Sequence, residues 1–187
     1  MPLEVHSGRT ISMSLGGLAL VDALGGQSLN VPFLEQKQSQ WCWAACIQML
    51  LQKDGDVTTQ QCNLANAAFE LNGCCSAPSS SLCDQPLPIA QVSSEWERYG
   101  YGSSYAPGSV NINTVKFEIG SQRAIEVGLK WNSGGGHAIL IVGWDEGDYV
   151  VFRDPANGPG SSPIGEVITA FGQGQWGWSW TGIKKGT

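Results

Sequence analysis

Histidine is nearly missing from this chain: 187 residues hold two, His6 and His137. That leaves little material for a multi-histidine metal site, and any chemistry that needs an imidazole falls on one of these two. Positive charge is also sparse. Ten Lys and Arg stand against sixteen Asp and Glu, for a formal net charge of -6. The ten are spread along the chain, so the clustered basic surface that tracks phosphates is absent and nucleic acid is excluded as a partner. No run approaches the ~18 consecutive apolar residues that span a bilayer, so a soluble protein without a membrane part is expected. The stretch Met13 to Gly26 is weakly apolar but contains Asp22 and four glycines, and only Arg9 precedes it as a basic residue. A secretory signal has a charged start and an unbroken apolar block, so residues 1–30 read instead as an N-terminal arm or short strand. No internal repeat of about 20 to 50 residues is visible.

What the chain does have is glycine (25), tryptophan (8) and 42% hydrophobic residues, the composition of a globular protein with heavy aromatic packing. Its length suits one compact domain or two small lobes around a cleft. Six cysteines are present, and Cys62, Cys74, Cys75 and Cys83 fall in one loop-rich segment. Zinc ligands usually come as pairs two to four residues apart, often with histidine. Adjacent Cys74 and Cys75 do not converge easily on one ion, and no histidine is near. Two disulfides are expected, with Cys74 and Cys75 bonded to Cys62 and Cys83 in either order. Such bridges imply an oxidising, secreted or extracytoplasmic setting.

Val31-Pro32-Phe33-Leu34 is an extended entry, since Pro32 disfavours helix at the residue before it. From Trp41, WCWAACIQMLLQK runs without Gly or Pro until Gly55 and is apolar nearly all round, which predicts a buried helix of about three turns. Further helices are expected over Thr59–Leu71, Ile89–Tyr99 and Ile112–Ile119, with loops at 74–88 and in GYGSSYAPGS. Ala124–Trp131, His137–Trp144 and Tyr149–Arg153 are β-branched or aromatic-rich and bounded by turn residues. They predict antiparallel strands, with a hairpin turn at Gly147-Asp148-Tyr149. Val167–Phe171 and Trp176–Ile183 are expected as edge strands.

This order, helices then strands, puts Cys42 and His137 on different halves of a cleft. A cysteine nucleophile needs an anionic sulfur, a proton acceptor and donors for a developing oxyanion. Cys42 sits where the first helix begins, and the free N–H groups and macrodipole there favour a thiolate. Cys46 lies a full turn further in, where a thiol is buried and inert. Three glycines, Gly134 to Gly136, precede His137 and permit close backbone approach, whereas His6 reads as a surface residue. Asp154 ends the strand that pairs with the His137 strand and can accept the second imidazole N–H, whereas Asp145 and Asp148 belong to the hairpin turn.

The segment Gln36-Lys-Gln-Ser-Gln-Trp-Cys42-Trp43-Ala44-Ala45 resembles the Gln-x5-Cys-Trp pattern of papain-like cysteine peptidases. The block GGGHAILIVGWDEGDYVVFRDPANG resembles the His-bearing strand, turn and Asp-Pro of their bacterial branches: pathogen-effector and staphopain-type enzymes, and double-glycine bacteriocin-processing peptidases. The resemblance implies Cys42 as nucleophile, His137 as its base, Asp154 in the orienting place where papain has Asn, and Gln36 as an oxyanion donor. It also allows a tryptophan among Trp176, Trp178 and Trp180 to shield the His137–Asp154 bond. Double-glycine peptidases cleave after a Gly pair, so self-removal of the arm at Gly25-Gly26 is conceivable beside the plainer reading of a hinge.

The expected fold is α+β and papain-like: arm 1–30, a helical lobe over 31–104 bearing the nucleophile and the Cys-rich loop, and an antiparallel β lobe over 105–187. The expected function is hydrolysis of peptide bonds in a protein or peptide substrate through a Cys42 thioester. The enzyme is expected to be a monomer with no cofactor and no metal. A transglutaminase-like or amidase reaction would use the same residues. A non-catalytic binding or toxin module would have no need of all four.

Overall fold

The computed structural model describes residues 25–186; His6, Arg9 and the rest of the arm before Gly25 lie outside the described residues. The first helix, α1 (Cys42–Lys53), has every residue from Trp43 to Leu51 buried, as its all-round apolar sequence requires. Gly55, at φ 94°, turns the chain away at its end.

Helix α2 (Gln61–Ala68) starts later than Thr59. The Asp56 carboxylate holds Thr58 and Thr59 in a turn through their backbone N–H and hydroxyl groups, so capping passes to Gln60 with Asn63 reciprocating. Helices α3 (Ile89–Arg98) and α4 (Ile112–Gly120) fall within a residue of expectation, and Asn111 caps α4 by accepting from Thr114 N–H. Where a strand was expected over Val167–Phe171, a short helix α5 (Ile164–Ile168) forms instead. Ala170 and Phe171 that follow it have φ of 45° and 56°, which an extended strand does not accommodate.

Seven antiparallel strands make one sheet: β1 (Gly26–Ser28), β2 (Tyr101–Pro107), β3 (Ala124–Trp131), β4 (Gly136–Asp145), β5 (Tyr149–Asp154), β6 (Gly158–Pro163) and β7 (Gly174–Lys185). The order is β2-β7-β3-β4-β5-β6, with β1 beside the end of β4. The fold is thus a mixture of helices and antiparallel sheet, with α1 and α4 packed on β4 and α3 on β2. Strand β7 is internal, not an edge, and buries Trp176 and Trp180 between β2 and β3. The strands not anticipated, β2 and β6, are the two edges of that order. Their Gly, Ser and Pro content weakens a strand signal, and an edge tolerates proline because one side needs no ladder donor.

Gly26 does not act as a hinge. It is paired with Asp145 at the far end of β4 from His137, a separation of eight residues or ~26 Å along the strand. Gly143 admits β1 at close range: a Cβ there would lie 2.7 Å from Gln27 O and clash with Ser28. Gly143→Ala should therefore displace β1 and cost about 1–3 kcal/mol, a fall in Tm of roughly 2–12 °C by thermal denaturation.

Candidate active site

The chain entering α1 is held from two sides. On one, Gln36 N–H donates to Pro155 O at 3.0 Å, Lys37 N–H to Gln61 Oε1 at 2.7 Å, and Gln61 Nε2 to Glu35 O at 3.0 Å. On the other, the Asp84 carboxyl accepts Ser39 Oγ and Gln40 N–H, each at 2.8 Å, while Trp41 Nε1 donates to Cys83 O and Trp43 Nε1 to Gln85 O. The segment 83–85 that receives these four bonds is itself stapled. The disulfides are Cys62–Cys75 and Cys74–Cys83, which resolves the two pairings open from sequence.

Cys42 therefore starts α1 in a braced loop. It is the first helical residue, so its N–H has no intrahelical acceptor, and no side chain caps this end. Cys46 is free and fully buried, and its thiol is pushed well above its ordinary value, by burial first and then by nearby acidic groups. It is a core thiol.

His137, the second residue of β4, lines the same cavity as Cys42. Its Nε2 lies 2.6 Å from Asp154 Oδ1, which leaves Nδ1 as the ring nitrogen available to a second partner. Burial alone would push His137 down, but the hydrogen bonds to Asp154 and Cys42 outweigh it and raise the group to about 9. Burial likewise opposes ionisation of Asp154, yet the bonds from His137, Asn157 and Ala156 N–H hold it below its ordinary value. Asp145, at the end of β4, and Asp148, in the hairpin turn, both stay exposed.

The geometry of the pair depends on a β-bulge. Near the turn, Asp145 opposes Tyr149 and Gly143 opposes Val151; after the bulge Ile141 opposes Phe152 and Leu140 opposes Arg153. Plain counting from the turn would set Asp154 opposite Leu140, on the face away from His137. The extra residue, Val142, moves Asp154 to the Ile139 position, on the same face as His137 and diagonal to it. The aromatic partner of His137 is Trp131, stacked at 6.2 Å between centroids and 18° between planes, and not one of Trp176, Trp178 and Trp180. Trp131 sits two residues past Leu129, which pairs with His137, so it shares that face.

Gln36 lies beside His137 around a second, more open cavity of about 400 Å³. Its Nε2 donates to Gln38 O at 3.0 Å and Ser39 O at 2.9 Å, and the two carbonyls fix the amide's orientation. Both amide protons are thus engaged, while Oε1 is buried without a partner. Among the described residues no cluster of His, Cys, Asp and Glu has the makings of a metal site.

A braced cysteine at a helix start faces an imidazole carried on a strand, and a carboxylate backs that imidazole. The family model that matches residues 28–183 is that of the Peptidase_C39 like family. The chain belongs to the Peptidase_C39 like family. As a member it is a cysteine peptidase, and solved peptidases share its fold. A double glycine motif protease from an AMS/PCAT transporter, crystallised with its leader peptide, is 15% identical over 83% of this chain and 94% of its own, with TM-score 0.51. The peptidase domain of Streptococcus ComA, a bi-functional ABC transporter involved in quorum sensing, is 9% identical over 83% of this chain and all of its own, with TM-score 0.57. At these identities the likeness is one of fold, that of papain-like peptidases. A search of curated proteins by sequence finds no match.

Asp84, Trp131 and the bulge at Val142 escaped the sequence. Trp131 was within reach from hairpin register, whereas nothing marks Asp84, whose partners lie 44 and 45 residues away. Three outcomes follow for this peptidase. In Asp154→Asn, the His137 titration followed by NMR should move down from about 9 toward the ordinary 6.5. In the wild type, His137 is raised, so its stabilisation is full below about 6.5 and lost as pH rises through about 9. Asp154 is depressed, so its share is present above 3.8 and lost as pH falls below that, and thermal melts should decline at both ends. Asp84→Ala should slow alkylation of Cys42 by roughly 3- to 10-fold and lower stability by about 1–3 kcal/mol.

Proposed function

We propose that Cys42 is the nucleophile of peptide-bond hydrolysis, with His137 as its acid and base and Asp154 as the group that orients the imidazole. The observation that carries the reading is that Cys42 and His137 line one cavity while the imidazole is bonded to the Asp154 carboxylate at 2.6 Å. Cys42 Sγ attacks the scissile carbonyl as a thiolate. The charge that develops on the carbonyl oxygen falls near the unpaired N–H of Cys42 at the start of α1. His137, held as imidazolium by Asp154, gives its proton to the departing amine, leaving a thioester on Cys42. The now neutral imidazole takes a proton from water, the hydroxide attacks the thioester, and the acid leaves with Cys42 restored.

Gln36 is the second oxyanion donor in this reading. To serve, its Nε2 must give up one of its two carbonyl partners as substrate enters. The natural substrate is a protein or peptide acted on outside the reducing cytosol, which the two disulfides favour. One of the fold relatives was crystallised with a leader peptide, which supports a peptide as ligand class.

The test is alkylation with a thiol-directed peptidyl inhibitor, located by mass spectrometry, beside hydrolysis of an unstructured protein. The label should fall on Cys42, Cys42→Ala should abolish hydrolysis, and Cys46→Ala should retain it. A label on Cys46, or full activity in Cys42→Ala, overturns the assignment. Hydrolysis should fall as pH rises through about 9, when His137 loses the proton it must donate, whereas alkylation of Cys42 by iodoacetamide should not. Gln36→Ala should lower kcat by roughly 100- to 1000-fold if the amide reaches the oxyanion. A loss under about 10-fold would leave Gln36 as a brace of its loop.

A further inference from the structure

Four acids among the described residues are buried: Glu95, Glu118, Glu126 and Asp154. Three have a basic partner, Glu95 with Arg98, Glu118 with Arg123 and Asp154 with His137. Glu126 has none. It is 2% exposed on β3, and its Oε2 accepts from Trp96 Nε1 at 2.5 Å. The other oxygen accepts no hydrogen bond among the described residues. A buried carboxyl without a countercharge is costly, and proteins place such groups where something completes them.

Glu126 is one of the residues that line the cavity shared by Cys42 and His137. This cavity of about 360 Å³ is lined by Cys42 and His137 at one part and by Glu126 at another. Apart from Gln40 its remaining walls are largely apolar, from Trp43, Leu87, Val92, Leu129, Ala138 and Trp178, and among the described residues no lysine or arginine lines it. Gly128, which pairs with Ala138 next to His137, is two residues from Glu126, so Glu126 lies ~7 Å further along β3 than the level of Ala138 and on the same face as Gly128 and Ala138. Trp178 lies over Gly128, where a Cβ would meet its ring at 2.9 Å.

From this arrangement we infer that the cavity beside Cys42 is a subsite for a lysine or arginine side chain of the peptide, with Glu126 as its countercharge. The aliphatic stem runs along the apolar wall, and the cationic end meets the free carboxyl oxygen. An apolar side chain would fill the wall equally well but leave Glu126 uncompensated, and an acidic one would set two like charges together. The field favours the same choice. The whole chain carries a formal net charge of -6, which attracts a cationic ligand. Burial raises Glu126 to about 7, only partly offset by the Trp96 bond, so a bound cation also draws the carboxyl into its ionised form. A tryptophan face beside the stem adds attraction for a cation.

The inference rests on the peptidase reading for the source of the side chain, and the experiment separates the two. Short alanine peptides carrying one lysine, walked through successive positions, are compared with the same peptides carrying norleucine, which has the stem without the charge. Binding is measured on Cys42→Ala by calorimetry, and cleavage on the wild type, both above pH 7. At one position lysine should be preferred over norleucine by at least about 10-fold in both measurements, and Glu126→Gln should bring the ratio near unity. The ratio is read within each variant, and Glu126→Gln keeps an acceptor for Trp96. Cleavage with no lysine preference at any position overturns the subsite and leaves the peptidase reading standing. A Glu126-dependent lysine preference in binding without cleavage keeps the subsite and overturns the peptidase reading. A preference unchanged in Glu126→Gln, or neither binding nor cleavage, overturns the role of Glu126.

Discussion

The close bond between an imidazole and a carboxylate, His137 to Asp154 at 2.6 Å, makes a demand on the backbone that the rest of the structure serves. Two side chains on neighbouring strands meet only if they point to the same face, and strand pairing alternates faces residue by residue. The hairpin between β4 and β5, counted evenly from its turn, has the wrong parity. One extra residue in β4 corrects it, so a local irregularity sets whether the carboxylate reaches the ring at all. Trp131 then stacks on the imidazole from the other neighbouring strand, on the same face. The charges of the pair support each other against burial, which lifts His137 and lowers Asp154.

The cysteine side is fixed by different means. Helix α1 is buried along nine consecutive residues and has no freedom to shift, and its first residue is Cys42. The loop before it has no regular structure of its own. It borrows rigidity from the segment after Cys83, which is tied by disulfides to α2 and the loop beyond it. Covalent staples thus hold the loop, hydrogen bonds carry that order to Ser39 and Gln40, and Cys42 inherits it. A disulfide brace of this kind fits a small protein in an oxidising setting.

Between the two sides, the cavity combines an apolar wall with one uncompensated acid. Its neighbours in burial, Glu95, Glu118 and Asp154, each have a basic partner within the protein. Glu126 is the exception among the described residues, and its place in the lining of the cavity that Cys42 and His137 share makes a ligand the natural complement.

The sequence by itself determined the elements whose pattern is strong. Those are α1 from its unbroken apolar run, β3 to β5 from β-branched residues between turns, and the candidates Cys42 and His137 from helix position and the scarcity of histidine. It read β2, β6 and α5 poorly. Edge strands of Gly, Ser and Pro carry little hydrophobic signal, and Val167 to Phe171 has strand-like composition with a backbone that turns left-handed at Ala170 and Phe171. Which cysteines pair, how Asp84 holds the loop, and that Glu126 has no cation beside it among the described residues were decided only in three dimensions. So was the parity that brings Asp154 to His137. Each depends on residues far apart in the chain or on one inserted residue in a ladder, and neither composition nor periodicity records such placement.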